Sequence, residues 1–276
     1  MNEQRLYMAI QAALKAGVEI MNVYTDPKAD FEIERKADNS PLTIADKKSH
    51  RVIVEELAAL PYPVLSEEGK EMPFDQRAKW NELWIVDPLD GTKEFIKRNG
   101  EFTVNIAFVR NGVPETGVIY IPVKQELYFA DEKLGAYKLK DIASVSSSDS
   151  VENLMTHAEK LPYENEKQQD EFLIVASRSH MNEDTEHFIA EMERTHAFVK
   201  TVSKGSSLKL CLVAEGLADV YPRFAPTMEW DTAAGHAIVR AAGGEVYQAG
   251  TNVPLLYNKE NLLNPWFIAY PEKMKQ

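Results

Sequence analysis

Two aspartates three positions apart, Asp87 and Asp90, close an apolar run and are followed at once by Gly91 and Thr92 in the stretch WIVDPLDGTKEF (84–95). Carboxylates on either side of a two-residue bend converge on one point, with the Leu89 carbonyl between them, and hard oxygen donors in that arrangement suit Mg²⁺ better than zinc. Gly91 permits close backbone approach. The amides of Thr92, Lys93 and Glu94 would open a helix whose N-terminus receives a phosphate oxygen. The chemistry indicated is metal-assisted handling of a phosphate, although an Asp-rich turn that merely caps a helix carries the same local signature.

The elements that must position these groups are legible around them. Leu83, Trp84, Ile85 and Val86 form a short apolar run of the kind that makes a buried strand, and Pro88, unable to donate to a sheet ladder, is expected to end it. Glu67 and Glu68 follow a strand-like 63–65 and precede a glycine. Asp231, in EWDTAAG (229–235), falls in the first turn of a helix that runs through Ile238 and Val239 to a Gly243-Gly244 stop. Each has a plainer reading, a solvated loop for the glutamates and a dipole-complementing surface aspartate for Asp231. Gathered in one cleft, four carboxylates would raise one another's pKa unless cations compensated; two or three Mg²⁺ ions would do so.

These elements, SEE at 66–68, DPLDGT at 87–92 and WD at 230–231, occur in the order of the metal signatures of the inositol monophosphatase superfamily, which the chain resembles over nearly its whole length. SPLTIAD (40–46), GSSLK (205–209) and DVYPRF (219–224) fit the same pattern, and Lys93-Glu94-Phe95 after the threonine is similar to the 3'(2'),5'-bisphosphate nucleotidase branch. The resemblance implies a layered α/β (α+β) fold, an αβαβα five-layered sandwich. Its N-terminal metal-binding lobe would span 1–140, and a C-terminal lobe, 141–276, would complete the metal and nucleotide site.

Carried over residue by residue, the resemblance implies that Glu67, Asp87, Asp90 and Asp231 bind Mg²⁺ together with the Leu89 carbonyl, Mn²⁺ being accommodated by the same donors. Asp46 and Thr92 correspond to the pair that orients and deprotonates the attacking water, with Glu67 counted beside them as a catalytic group. Substrate contacts fall to Lys36, Gly91, Thr92, His180, Ser206, Lys209, Arg223 and Asp231. The implied reaction is hydrolysis of the 3'-phosphate of adenosine 3',5'-bisphosphate to AMP and phosphate in sulfur assimilation, with lithium sensitivity and activity on the sulfated nucleotide. An inositol or sugar phosphatase is the alternative, since the metal half of the site is shared. A non-catalytic nucleotide or metal sensor is the distant one, and Thr92 with Asp46, unnecessary for binding alone, argue against it.

The substrate half needs cations, because a nucleoside bisphosphate brings about four negative charges. Without the family pattern, Arg223 reads as a surface arginine past a strand-like 219–221, His180 as a loop residue after the strand 172–175, and Ser206 and Lys209 as the start of a Ser-capped core helix. A net charge of −12 disfavours a nucleic-acid polymer as partner, which would demand a basic face. A small anionic ligand needs only a local positive patch. The single cysteine, Cys211, excludes an intramolecular disulfide and reads as core packing; that fits a reducing cytoplasm.

With 44% hydrophobic residues in 276, the chain can bury one or two substantial cores. The first 24 residues carry mixed charges and apolar residues at helical spacing, which reads as an amphipathic helix rather than a signal peptide. No segment is expected to span a membrane; peripheral attachment and a homodimer are left open. Helices are expected near 2–24 and 43–60, strands near 83–87, 102–110, 113–121 and 126–130, and alternating strands and helices from 171 onward. The Ser-, Glu- and Lys-rich stretch 141–170 is expected to contain a mobile connection where the lobes meet.

Overall fold

The structure, a computed structural model, describes residues 2–26, 31, 33–35, 41–142, 150–164, 171–177 and 181–272. The apolar stripe of Leu6, Ile10, Ala13 and Ile20 forms the buried face of α1 (Asn2–Thr25). After the short antiparallel pair β1 (Glu34–Arg35) and β2 (Pro41–Leu42), α2 (Ile44–Leu57) starts at Thr43, whose hydroxyl and amide form a reciprocal capping box with Asp46.

Seven strands then build one sheet in sequence order: β3 (Val64–Ser66), β4 (Glu82–Asp90), β5 (Thr103–Arg110), β6 (Val113–Ile121), β7 (Glu126–Asp131), β8 (Gly135–Leu139) and β9 (Glu159–Leu161). Only β3 and β4 run parallel; the remaining neighbours pair antiparallel. Short helices α3 (Phe74–Arg77) and α4 (Thr92–Ile96) flank β4, and α5 (Val151–His157) precedes β9. In the 141–170 stretch the described part thus folds as α5 and β9, the latter extending the sheet; 143–149 and 165–170 lie outside the described residues.

The chain continues through β10 (Phe172–Ser177), α6 (Glu183–Thr195), β11 (Val199–Lys204), α7 (Leu208–Ala214), β12 (Tyr221–Arg223), α8 (Glu229–Ala241), β13 (Glu245–Gln248) and β14 (Phe267–Tyr270). β10 and β11 pair in parallel, while β12, β14 and β13 form a second small sheet in that order.

Alternation along the strands of the large sheet decides the layering, because successive side chains point to opposite faces. Trp84, Val86, Ile106 and Phe108 pack against α1 and α2. Leu83, Ile85, Ala107 and Val109 face α7 and α8. Gly117 on β6 admits the α8 backbone, for a Cβ there would lie 2.4 Å from the Ala234 carbonyl oxygen. The small sheets lie on the far side of α7 and α8, and α6 packs outside β12. The resulting order of helices, sheet, helices, strands and helix is the five-layered αβαβα arrangement.

Candidate active site

Pro88 does not end β4, as its missing N–H had suggested; it lies in a bulge. β4 pairs with β5 until Asp87 stands opposite Asn105, and Asp90 then stands opposite Thr103, so three steps on β4 (90 − 87) answer two on β5 (105 − 103). The extra residue bends the strand, as bulges do, and turns both carboxylates to one side. The first turn of α8 delivers Asp231, whose Oδ2 accepts the Met228 N–H at 2.8 Å. One carboxylate oxygen from each of Asp87, Asp90 and Asp231 lies within 4.8 Å of the others. Glu67 lines the same cavity and its charge acts on both Asp87 and Asp231.

Burial, then the charges of Glu67, Asp90 and Asp231, hold the Asp87 carboxyl well above the usual carboxylate range. Burial and the same neighbours push Asp231 up to about 8 against the opposing Met228 hydrogen bond. Among the described residues, no lysine or arginine forms an ion pair with Asp87, Asp90 or Asp231. Clustered carboxylates of this kind fit hard divalent cations, which supply the missing positive charge.

Next to the cluster, α4 begins at Gly91, which adopts a left-handed φ of 93° and would bring a Cβ to 3.0 Å from the Glu101 carbonyl oxygen. This turn sets Thr92 over the buried Asp46: Thr92 Oγ1 lies 3.2 Å from Asp46 Oδ1 and 3.3 Å from the Leu89 carbonyl oxygen. Asp46 Oδ2 accepts both the amide and the hydroxyl of Thr43, so the carboxylate is locked with Oδ1 toward Thr92. The next turn of α2 supports the neighbouring loops. Ser49 donates to the Pro88 carbonyl at 2.7 Å, and His50 Nδ1 lies 2.9 Å from the hydroxyl of Ser66, the residue before Glu67.

The opposite wall of this roughly 560 Å³ cavity is basic and comes from β11, the α7 entry and β12, with Lys204, Lys209 and Arg223 among its lining residues. Lys209 is buried, donates to the carbonyls of Ser206 and Lys204, and has its ammonium 5.7 Å from the Tyr221 ring centre. Burial lowers its pKa to about 8, with Asp90 pulling the other way. Arg223 lies within β12 rather than beyond it. It donates from Nη2 to the Pro226 carbonyl at 3.1 Å, while its buried Nε has no hydrogen-bond partner. Such an orphaned donor at a cavity wall fits an anionic ligand.

The structure therefore brings together Asp46, Glu67, Asp87, Leu89, Asp90, Gly91, Thr92, Ser206, Lys209, Arg223 and Asp231. Lys36 and His180 lie outside the described residues. The helix expected from Ser206 begins at Leu208, and Ser206 itself has a φ of 49°, with its hydroxyl donating to Asp90 Oδ2 at 2.6 Å. Ser207, Thr103 and Asn105, which also reach this network, were not anticipated. The available signal was the pair of polar residues at alternate positions of an otherwise apolar strand, which places both on one sheet face.

Known proteins share this architecture. Residues 1–271 match the inositol monophosphatase family. A 3'(2'),5'-bisphosphate nucleotidase CysQ of Salmonella typhimurium is 43% identical over 264 residues, covering 95% of this chain and 98% of that protein. Its Escherichia coli counterpart is 44% identical over 260 residues, covering 93% and 96%. The crystal structure of CysQ from Bacteroides thetaiotaomicron superposes with a TM-score of 0.91 at 59% identity, covering 99% of this chain and 98% of that one. An IMPase from Thermotoga maritima gives a TM-score of 0.70 at 25% identity, covering 97% and 92%.

Proposed function

The chain belongs to the inositol monophosphatase family, and from that premise we propose that it is a metal-dependent 3'(2'),5'-bisphosphate nucleotidase. It hydrolyses the 3'-phosphate of adenosine 3',5'-bisphosphate to AMP and phosphate in sulfur assimilation, and its site also admits the sulfated nucleotide. The observation that carries this reading is one cavity with an acidic cluster and the Asp46–Thr92 pair at one wall and Lys209 and Arg223 at the other, in a chain 43% identical to a CysQ nucleotidase over nearly its full length.

Glu67, Asp87, Asp90, Asp231 and the Leu89 carbonyl would hold two or three Mg²⁺ ions, for which Mn²⁺ could substitute. When bound, the metal acidifies a water and neutralises charge on the phosphoryl oxygens. The protein's own part is positioning and proton movement. Thr92 Oγ1 orients the attacking water and relays its proton to Asp46 Oδ1, while the Thr43 bonds on Oδ2 keep that carboxylate in line. The water oxygen bonds to phosphorus as the bond to the ribose 3'-oxygen breaks, and no phosphoenzyme forms. Lys209 and Arg223 take the second phosphate, with Gly91, Ser206 and the Asp231 turn shaping the space between. Lys36 and His180 complete the nucleotide contacts. Among the described residues no helix is long and apolar enough to cross a membrane, and we place the enzyme in the cytoplasm.

The test is phosphate release with Mg²⁺ from adenosine 3',5'-bisphosphate, inositol 1-phosphate and fructose 1,6-bisphosphate, each with and without lithium. A preference for the nucleotide with loss of activity in millimolar lithium is expected. A preference for inositol 1-phosphate overturns the substrate assignment and leaves the metal site standing.

A further inference from the structure

We propose that Thr103 and Asn105, buried side by side on β5, are positioning residues for the metal ligand Asp90 and act on it through the hydroxyls of Ser206 and Ser207. The inference rests on the metal reading of Asp90. A carboxylate only accepts, so the Ser206 hydroxyl donates to Asp90 Oδ2 at 2.6 Å, and the Ser207 hydroxyl has Asp90 Oδ2 at 2.9 Å and the Asp231 carbonyl at 3.1 Å as its acceptors. Asn105 Nδ2 approaches the same oxygen at 3.4 Å and donates to Ser207 Oγ at 2.8 Å. With the Ser206 hydrogen on Asp90, the single Thr103 hydrogen is shared between Ser206 Oγ at 2.7 Å and Asn105 Oδ1 at 2.8 Å.

The arrangement fixes which oxygen of Asp90 is free. Oδ2 is taken by these donors, and among the described residues no hydrogen bond reaches Oδ1. Hydrogen bonds to an ionised acceptor are stronger than neutral ones, and Thr103 and Asn105 are 0% and 1% exposed, so water cannot replace what either supplies. β5 is a central strand of the large sheet, whereas the serines lie in the turn before α7. The network therefore ties the metal side of the cavity to the turn that carries the basic wall. It also gives the Ser206 hydroxyl two partners inside the protein, Asp90 at 2.6 Å and Thr103 at 2.7 Å, so a substrate phosphate has to compete for its single hydrogen.

Partners that orient a metal ligand are worth about 10- to 100-fold in metal affinity. The experiment titrates Mn²⁺ and Mg²⁺ into metal-free protein by calorimetry, with melting in EDTA recorded alongside. Thr103→Val, which keeps the shape and removes the hydroxyl, is expected to weaken Mn²⁺ binding about 10-fold, Thr103→Ser to restore it, and Asn105→Leu to weaken it at least as much. Wild-type metal affinity in Thr103→Val and Asn105→Leu overturns the proposal, even where the EDTA melting temperature drops, because that is the signature of a purely structural pair. Should neither variant fold, Ser207→Ala, which deletes one donor at the edge of the cavity, is read in the same way. Absence of divalent binding by the wild-type protein would instead overturn the metal reading itself.

Discussion

Replacing Asp231 by Asn should stabilise the metal-free protein while destroying its response to Mg²⁺. Burial, then the charges of Asp90 and Glu67, raise the Asp231 carboxyl from 3.8 to about 8. A carboxyl whose folded pKa is raised favours folding at low pH, and that support disappears as pH climbs from 3.8 toward 8. At pH 7 the interval above 3.8, at about 1.4 kcal/mol per pH unit, gives about 4 kcal/mol as an upper bound. Asp231 is only partly shielded from solvent, and screening cuts this to about 2 kcal/mol. Unfolding entropy of about 2.1 cal/mol/K per residue over 276 residues gives about 0.6 kcal/mol/K, so the gain is about 3–4 °C in Tm. Asn retains a carbonyl oxygen for the Met228 N–H, so the helix cap survives. Scanning calorimetry in EDTA at pH 7 should show Asp231→Asn melting above wild type, with the gap closing toward pH 5. Mg²⁺ at about 100 times its Kd adds about 2.7 kcal/mol to wild type and little to the variant, reversing the order. A variant that melts below wild type in EDTA, or gains as much from Mg²⁺, refutes the reasoning.

Thr92→Ala should lower kcat about 10²- to 10⁴-fold while calorimetric Mg²⁺ affinity stays at the wild-type value; combining it with Asp46→Asn should cost little more, since the two act as one relay. Lys209 loses its charge above its lowered pKa of about 8, so KM for the nucleotide should rise as pH passes 8 and the rise should be absent in Lys209→Gln. Gly117→Ala would force a Cβ to within 2.4 Å of the Ala234 carbonyl oxygen; overpacking of this kind costs about 1–3 kcal/mol, seen as a lower denaturant midpoint with unchanged m-value.

The acidic half of the site was legible because the residues that cluster are also those that stand out: acids at strand ends and a helix start, in contexts where burial is evident from the apolar residues beside them. Thr92 and Asp46 were reached through the family pattern, since a Thr and an Asp 46 positions apart carry no local signal. Other features depend on tertiary pairing. Pro88 reads as a strand terminator because its missing N–H is a local fact, whereas the bulge that absorbs it belongs to the register with β5. Ser206 reads as a substrate donor in the sequence, whereas its 2.6 Å contact with Asp90 depends on two segments more than a hundred positions apart. Thr103 and Asn105 look like ordinary strand residues until a loop a hundred positions later meets them. The stretch with α5 and β9 was missed because its few apolar anchors, Val151, Leu154 and Leu161, are spread too thinly to show a period.

One turn of α2 touches three segments of the acidic wall: Asp46 holds Thr92, Ser49 holds the Pro88 carbonyl and His50 meets Ser66. Residues three and four apart share a helix face, so these contacts hang from a single rigid mount. Any displacement of α2 against the rest of the molecule would carry the Thr92 hydroxyl, the bulge and the Glu67 loop along together. Spacing among Thr92, the Pro88 bulge and the Ser66 turn is thereby set by one short stretch of helix, while the turn before α7 is coupled to the same wall separately, through Asp90.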